Sequence, residues 1–119
     1  MIVLAEDDVD LREMVIAVLE QSGFEVIPAE DGLDALQRLE ACGGATLLVT
    51  DIRMPRLDGV RLADMAKTRW PSLKVLYMTG FADSEFVRNN AGKLHGPLLQ
   101  KPFRIVDLVD EAGRLYAAG

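Results

Sequence analysis

The residues able to do chemistry in this chain sit where apolar runs end. Glu6, Asp7 and Asp8 follow the run 2–5, Asp51 follows 46–50, Thr79 follows 73–78, and Lys101 with Pro102 follows 98–100. A carboxylate at the end of a buried strand is costly unless a charge meets it, because an unpaired ion in a low-dielectric site tends to neutralise instead. Two or three carboxylates gathered at one edge repel one another, and a hard divalent cation with oxygen ligands relieves that repulsion. Mg²⁺ suits such a site, since it takes one or two protein carboxylates and keeps its other positions for water and phosphate oxygens. Lys101 then supplies a point charge and Thr79 a hydroxyl donor to a phosphoryl group. The set is an inventory for phosphoryl transfer.

Each of these residues also has a duller role. Asp8 suits the N-cap of the first helix, a position Asp favours, and Asp7 could share that duty. Thr79 before Gly80 fits turn chemistry, and a lysine before proline is ordinarily a solvated loop residue. Asp31, Asp58 and Asp83 read as helix caps. Coincidence at four strand ends of one sheet is what separates the chemical reading from a scatter of caps and turns.

The elements that must position these residues follow from apolar spacing. Apolar residues at Leu11, Met14, Val15, Val18 and Leu19 mark one helix face that Gly23 stops, and residues 24–27 form a strand ended by Pro28. Leu33, Leu36 and Leu39 face inward on a helix opened by Asp31 and closed by Gly43 and Gly44. Asp58 and Gly59 open a third helix through Val60, Ala63 and Ala66. Asp83 caps a short helix containing Phe86 and Val87, and Ile105, Leu108, Val109, Ala112 and Leu115 mark the last helix. Five strands separated by helices imply a doubly wound α/β fold, a five-stranded parallel sheet joined by right-handed crossovers, with ligands beyond the carboxyl ends of the strands.

Length and composition agree. A chain of 119 residues, 50% hydrophobic, fits one compact domain spanning 1–119. No apolar stretch reaches the roughly 20 residues of a membrane span, and no signal peptide is evident, so the expectation is a cytoplasmic location without membrane contact. The net charge of −6 argues against direct nucleic-acid binding. Cys42 is the one cysteine, which excludes a disulfide framework or a cysteine metal site and leaves a packing role. Lys67 and Arg69 at the end of the third helix complement its dipole.

The stretches LAEDD, VTDIRMPRLDG, MTG and LLQKPF resemble the acidic pocket, phosphoacceptor strand and loop, hydroxyl position and lysine loop of the receiver domain of two-component response regulators. The resemblance covers essentially the whole chain. It implies the flavodoxin-like receiver fold with strand order 2-1-3-4-5. It also implies that Asp51 accepts a phosphoryl group, as an aspartyl phosphate, from a phosphohistidine on a histidine kinase or histidine phosphotransferase. By position, Asp7 would bind Mg²⁺ directly and Glu6 through water, with the Arg53 backbone carbonyl completing the protein ligands beside Asp51. Thr79 and Lys101 would contact the phosphoryl oxygens, and the Lys101–Pro102 bond would be cis, as in the family.

The chain departs from the family pattern at two places. Leu98 stands where many receivers carry an aromatic switch residue, so signalling is expected to lean on the loop from Thr79 to Phe81 and the helix after it. Phe81 brings no group to orient a hydrolytic water, which leads to the expectation of slow self-dephosphorylation; packing on a helix or contacting a partner is its other reading. The face carrying Arg88, Lys93, Arg104, Asp107 and Glu111, on the fourth helix, fifth strand and fifth helix, is a candidate homodimer surface or plain solvated surface. The chain could be a free-standing receiver or a module of a hybrid kinase, and the Met1 start tips the reading toward the first. Two rivals remain: a pseudo-receiver that binds partners without phosphorylation, and an aspartate-nucleophile phosphatase, which would need an acid where Arg53 stands.

Overall fold

The computed structural model describes residues 1–118. Five strands, β1 (Ile2–Ala5), β2 (Val26–Ala29), β3 (Leu47–Asp51), β4 (Lys74–Thr79) and β5 (Leu98–Gln100), form one parallel sheet in the order β2-β1-β3-β4-β5. The helices are α1 (Val9–Gln21), α2 (Gly32–Cys42), α3 (Gly59–Arg69), α4 (Ser84–Asn89) and α5 (Ile105–Ala117). Side chains alternate across a strand, so each central strand feeds two cores. Ile2, Leu4, Leu47 and Val49 pack with Val15 and Leu19 of α1 and Leu108 and Ala112 of α5. Val3, Ala5 and Leu48 pack with Ala35 and Leu39 of α2 and Leu62 and Ala66 of α3. The doubly wound architecture and strand order implied by the sequence are the ones observed.

Local chemistry sets the helix starts. Asp8 accepts from the Leu11 N–H at 3.1 Å, Asp31 from Asp34 at 2.8 Å and Asp58 from Arg61 at 2.9 Å, each satisfying a first-turn donor that has no helical partner. Gly43 ends α2 in the left-handed region at φ 73°, which only glycine enters without steric cost. Lys67 serves the end of α3 through hydrogen bonds to the Pro71 and Leu73 carbonyls.

Several expectations need correction. Pro28 does not end the second strand but lies within β2, opposite Leu4. β1 meets β2 through Ile2 N–H to Glu25 O and Glu6 N–H to Ala29 O, so alternate residues of β2 face β1 and the Pro28 nitrogen faces the open edge, where its missing N–H costs no ladder bond. Asp83 precedes α4 but makes no forward cap; its carboxylate turns back to accept from the Gly80 N–H at 2.8 Å, across a 3-10 turn at Phe81–Asp83. Leu33, expected inward, is 37% exposed, and Ile105, one of the apolar residues that mark the last helix, is 57% exposed. Both occupy first turns at the carboxyl edge of the sheet, where no strand lies beneath them. Cys42 is exposed rather than a packing residue, because it falls in the last turn of α2.

One electrostatic tie has a measurable signature. Burial pushes the Asp31 carboxyl up, but hydrogen bonds from Arg56 and from the Asp34 N–H outweigh it and hold the group below its ordinary value of 3.8. A carboxyl whose folded pKa is depressed contributes stability above its unfolded pKa and loses it as pH falls through the folded value. The thermal midpoint of Arg56→Ala is therefore expected to lie below wild type at pH 7, with the gap closing below about pH 3.8; melts across pH 2–7 check this, and a gap independent of pH would refute it.

Candidate functional site

The site is built from the carboxyl ends of β1, β3, β4 and β5. Asp51 is the last residue of β3, and its side chain is only 9% exposed. One of its oxygens, Oδ1, accepts from the Ile52 N–H at 2.9 Å, and Oδ2 lies 3.1 Å from Lys101 Nζ. Lys101 Nζ lies equally close, 3.1 Å, to Oε1 of Glu6, which is wholly buried. Glu6 Oε2 accepts from the Asp8 N–H at 3.1 Å. What meets Asp51 in the protein is thus a single lysine shared between two buried carboxylates.

That sharing leaves an electrostatic imbalance. Burial first, and then the neighbouring Asp51 carboxylate, push Glu6 up to about 7, against the opposing pull of the Asp8 N–H and Lys101. Burial alone would lower the Lys101 pKa, yet the charges of Asp51 and Glu6 hold it above the ordinary lysine value. Asp7 brings a third, exposed carboxylate, and oxygens of Glu6, Asp7 and Asp51 lie within 4.8 Å of one another. Oxygen-only donors, two buried and one open to solvent, facing one lysine, fit a hard dication that retains part of its hydration.

Lys101 is itself held by backbone. Its N–H donates to the Thr79 carbonyl at 2.7 Å, continuing the pairing of β4 with β5, and the Lys101–Pro102 bond is cis as the family resemblance implies. Thr79 closes β4, 8% exposed, with its hydroxyl making only a long 3.4 Å bond to the Gly80 carbonyl. Arg53 lies on the loop after β3, and its guanidinium reaches toward Asp83 at 4.0 Å. The structure therefore brings Glu6, Asp7, Asp51 and Lys101 together, with Thr79 and Arg53 on adjoining segments.

The two departure residues flank this cluster without joining its charged contacts. Phe81 is 84% exposed and stands between a cavity of about 380 Å³ lined by Leu11, Met14, Lys101, Pro102 and Phe103 and one of about 270 Å³ lined by Thr79, Val87, Arg88 and Gln100. Leu98 pairs with Tyr77, two residues before Thr79, and is 39% exposed. The β5 residue beside Thr79 is Gln100, which also lines the cavity behind it. The family pattern draws attention to Leu98, whereas the parallel register sets Gln100 next to Thr79.

A parallel α/β sheet with acids and a lysine converging at its carboxyl edge defines a doubly wound protein with a charged strand-end site. Comparison narrows this, since the family profile described as the response regulator receiver domain matches residues 2–112. The chain belongs to that family and is a receiver domain of the two-component response regulators. Among curated proteins it is 38% identical over 117 residues to the response regulator receiver protein CpdR of Brucella abortus, covering 98% of this chain and 97% of that one. It is 31% identical over 108 residues, 90% of this chain, to the sensor kinase CckA of the same organism, of which the match spans 11%. Among solved structures, the receiver domain of NtrX from Brucella abortus superposes with a TM-score of 0.90 at 28% identity, with full coverage of both chains. A response regulator receiver protein from Sinorhizobium medicae gives 0.86 at 30% identity, covering 98% and 94%.

Proposed function

We propose that Asp51 is the phosphoacceptor of a two-component phosphorelay. A phosphohistidine on a kinase or phosphotransfer protein donates; the phosphorus–nitrogen bond breaks, an Asp51 carboxylate oxygen forms the new phosphorus–oxygen bond, and the imidazole leaves. Little covalent chemistry is asked of the protein, so catalysis is positioning plus cancellation of charge on the transferring oxygens. The Ile52 N–H fixes the orientation of the Asp51 carboxylate. Lys101, already seated between Asp51 and Glu6, follows the charge to the phosphoryl oxygens, and Thr79 turns its weakly held hydroxyl toward the same group. Mg²⁺, held by Asp7, Asp51 and the Arg53 carbonyl with Glu6 acting through water, would neutralise the phosphoryl oxygens.

The observation that carries this reading is Lys101 Nζ at 3.1 Å from both Asp51 and Glu6, with Asp7 beside them. It favours an acceptor over a phosphatase, because Arg53 cannot serve as an acid/base. It favours an acceptor over a pseudo-receiver too, because a pocket serving only contact has no use for an uncompensated acidic cluster. New charge-assisted bonds at about 1.5–3 kcal/mol each are comparable to the ~5.5 kcal/mol that swings a population from 1:99 to 99:1. Phosphorylation thereby switches the segment from Thr79 to Phe81 and through it a partner's access. The receiver domain works where a phosphohistidine donor meets it, on the cytoplasmic side. No described helix is long and apolar enough to cross a membrane.

The test is uptake of a phosphoryl group from a small acyl phosphate, followed by intact mass. Wild type with Mg²⁺ gains one phosphoryl mass, and chelation of Mg²⁺ or Asp51→Ala abolishes the gain. Uptake retained by Asp51→Ala would overturn the assignment.

A further inference from the structure

The loop between β3 and α3 turns sharply at Arg56, whose side chain has no part in the phosphoryl chemistry above. Arg56 has φ +71°, and the Leu57 N–H donates to the Pro55 carbonyl at 2.9 Å across it. A bond from residue i+2 to i around a positive φ is the strained form of the γ-turn, and a side chain beyond Cβ makes it costlier still. Such strain persists only where the surroundings over-determine it.

One such surrounding is Asp31, on the turn between β2 and α2, which holds the Arg56 side chain. Arg56 Nε donates to Asp31 Oδ2 at 2.8 Å and its NH2 group to Oδ1 at 3.2 Å, a two-point clamp on a carboxylate that is 6% exposed and already caps α2. Beside the clamp the backbones touch: a Cβ at Gly32 would lie 2.0 Å from the Leu57 carbonyl oxygen. The far end of the loop is pinned as well, by Gly59 N–H to Ile52 O at 2.6 Å. Between the two anchor points hangs Arg53.

We infer that Arg56 is a positioning residue: by clamping Asp31 from a strained turn it holds the β3–α3 loop so that the Arg53 carbonyl stays ready for a divalent cation beside Asp51. This rests on the magnesium reading above. The clamp couples the α2 cap to the metal loop, and release of one loosens the other. A glycine at position 56 would relieve the turn's strain and remove the clamp together, so overall stability stays nearly level while the loop is freed.

The experiment is a Mg²⁺ titration followed by NMR amide shifts at Asp7 and Ile52, with thermal melts in parallel, for wild type, Arg56→Gly, Asp31→Asn and the double variant. Asn keeps the cap and loses the charge. Expected is roughly tenfold weaker Mg²⁺ binding in Arg56→Gly, the scale seen when a group orienting a metal ligand is lost. Its melting midpoint should stay near wild type, and the double variant should bind no more weakly than Arg56→Gly. Wild-type affinity in Arg56→Gly, or independent losses that multiply in the double variant, would overturn the clamp alone. Absence of any saturable response in wild type would overturn the magnesium reading, and the clamp's role with it.

Discussion

Asp51→Asn is expected to melt higher than wild type in metal-free buffer and to lose both phosphoryl uptake and the stabilisation that Mg²⁺ confers. Asp51 and Glu6 share one lysine at 3.1 Å, and burial plus the Asp51 charge already push Glu6 up to about 7. An amide at position 51 removes the like charge and can donate to Glu6, while still able to accept from the Ile52 N–H. The lost charge-assisted contact with Lys101 offsets part of the gain. The balance comes to about 1 kcal/mol, or roughly 4 °C for a domain of this size. Wild type in turn gains about 2.7 kcal/mol at a hundredfold excess of Mg²⁺ over its dissociation constant, so the order of the two melts reverses. Calorimetric melts with and without Mg²⁺ decide it. An equal Mg²⁺ response in both proteins, or a metal-free variant that melts below wild type, contradicts the account.

Gly59→Ala should cost about 3 kcal/mol or more, near the upper range for overpacking a core, and lower the midpoint by roughly 12 °C. The added Cβ would lie 2.1 Å from the Asp51 carbonyl oxygen and 3.1 Å from Thr50 Oγ1. Neither neighbour can step aside, since β3 is hydrogen-bonded to β1 on one side and β4 on the other. The helix cannot retreat either: Gly59 is tied to Ile52 by a 2.6 Å backbone bond and followed by buried Val60. Gly113→Ala is the control, with nothing within 4 Å of its Cβ, and should stabilise α5 by about 0.5–1 kcal/mol. Denaturant titrations compare the pair, and a Gly59→Ala midpoint within experimental error of wild type would mean the backbone approach is looser than described.

The contrast between these two glycines marks what a sequence can disclose. Caps at Asp8, Asp31 and Asp58 were legible because an Asp before an apolar period acts on its own next turn. Asp83 looked the same and turned the other way, since its partner is chosen by a 3-10 turn that local pattern does not display. The convergence of Glu6, Asp7, Asp51 and Lys101 was legible because strand ends of a parallel sheet share one edge. The tie of Arg56 to Asp31 was not, as it joins residues 25 apart through a backbone conformation that no residue type announces. Leu98 was singled out by its place in the family pattern, while the register across β4 and β5 sets Gln100 beside Thr79.

The proline inside β2 bears on how copies of this protein meet. A sheet edge recruits other chains by offering its free donors and acceptors in sequence. On the β2 side Pro28 deletes one of the two outward donors of a strand of only four residues, so an incoming strand would find its matching carbonyl unanswered. At the opposite edge β5 is three residues long. Ribbon-like polymerisation is therefore blocked on one flank and starved of length on the other. The helical faces are then the surfaces left for copies of this protein to meet.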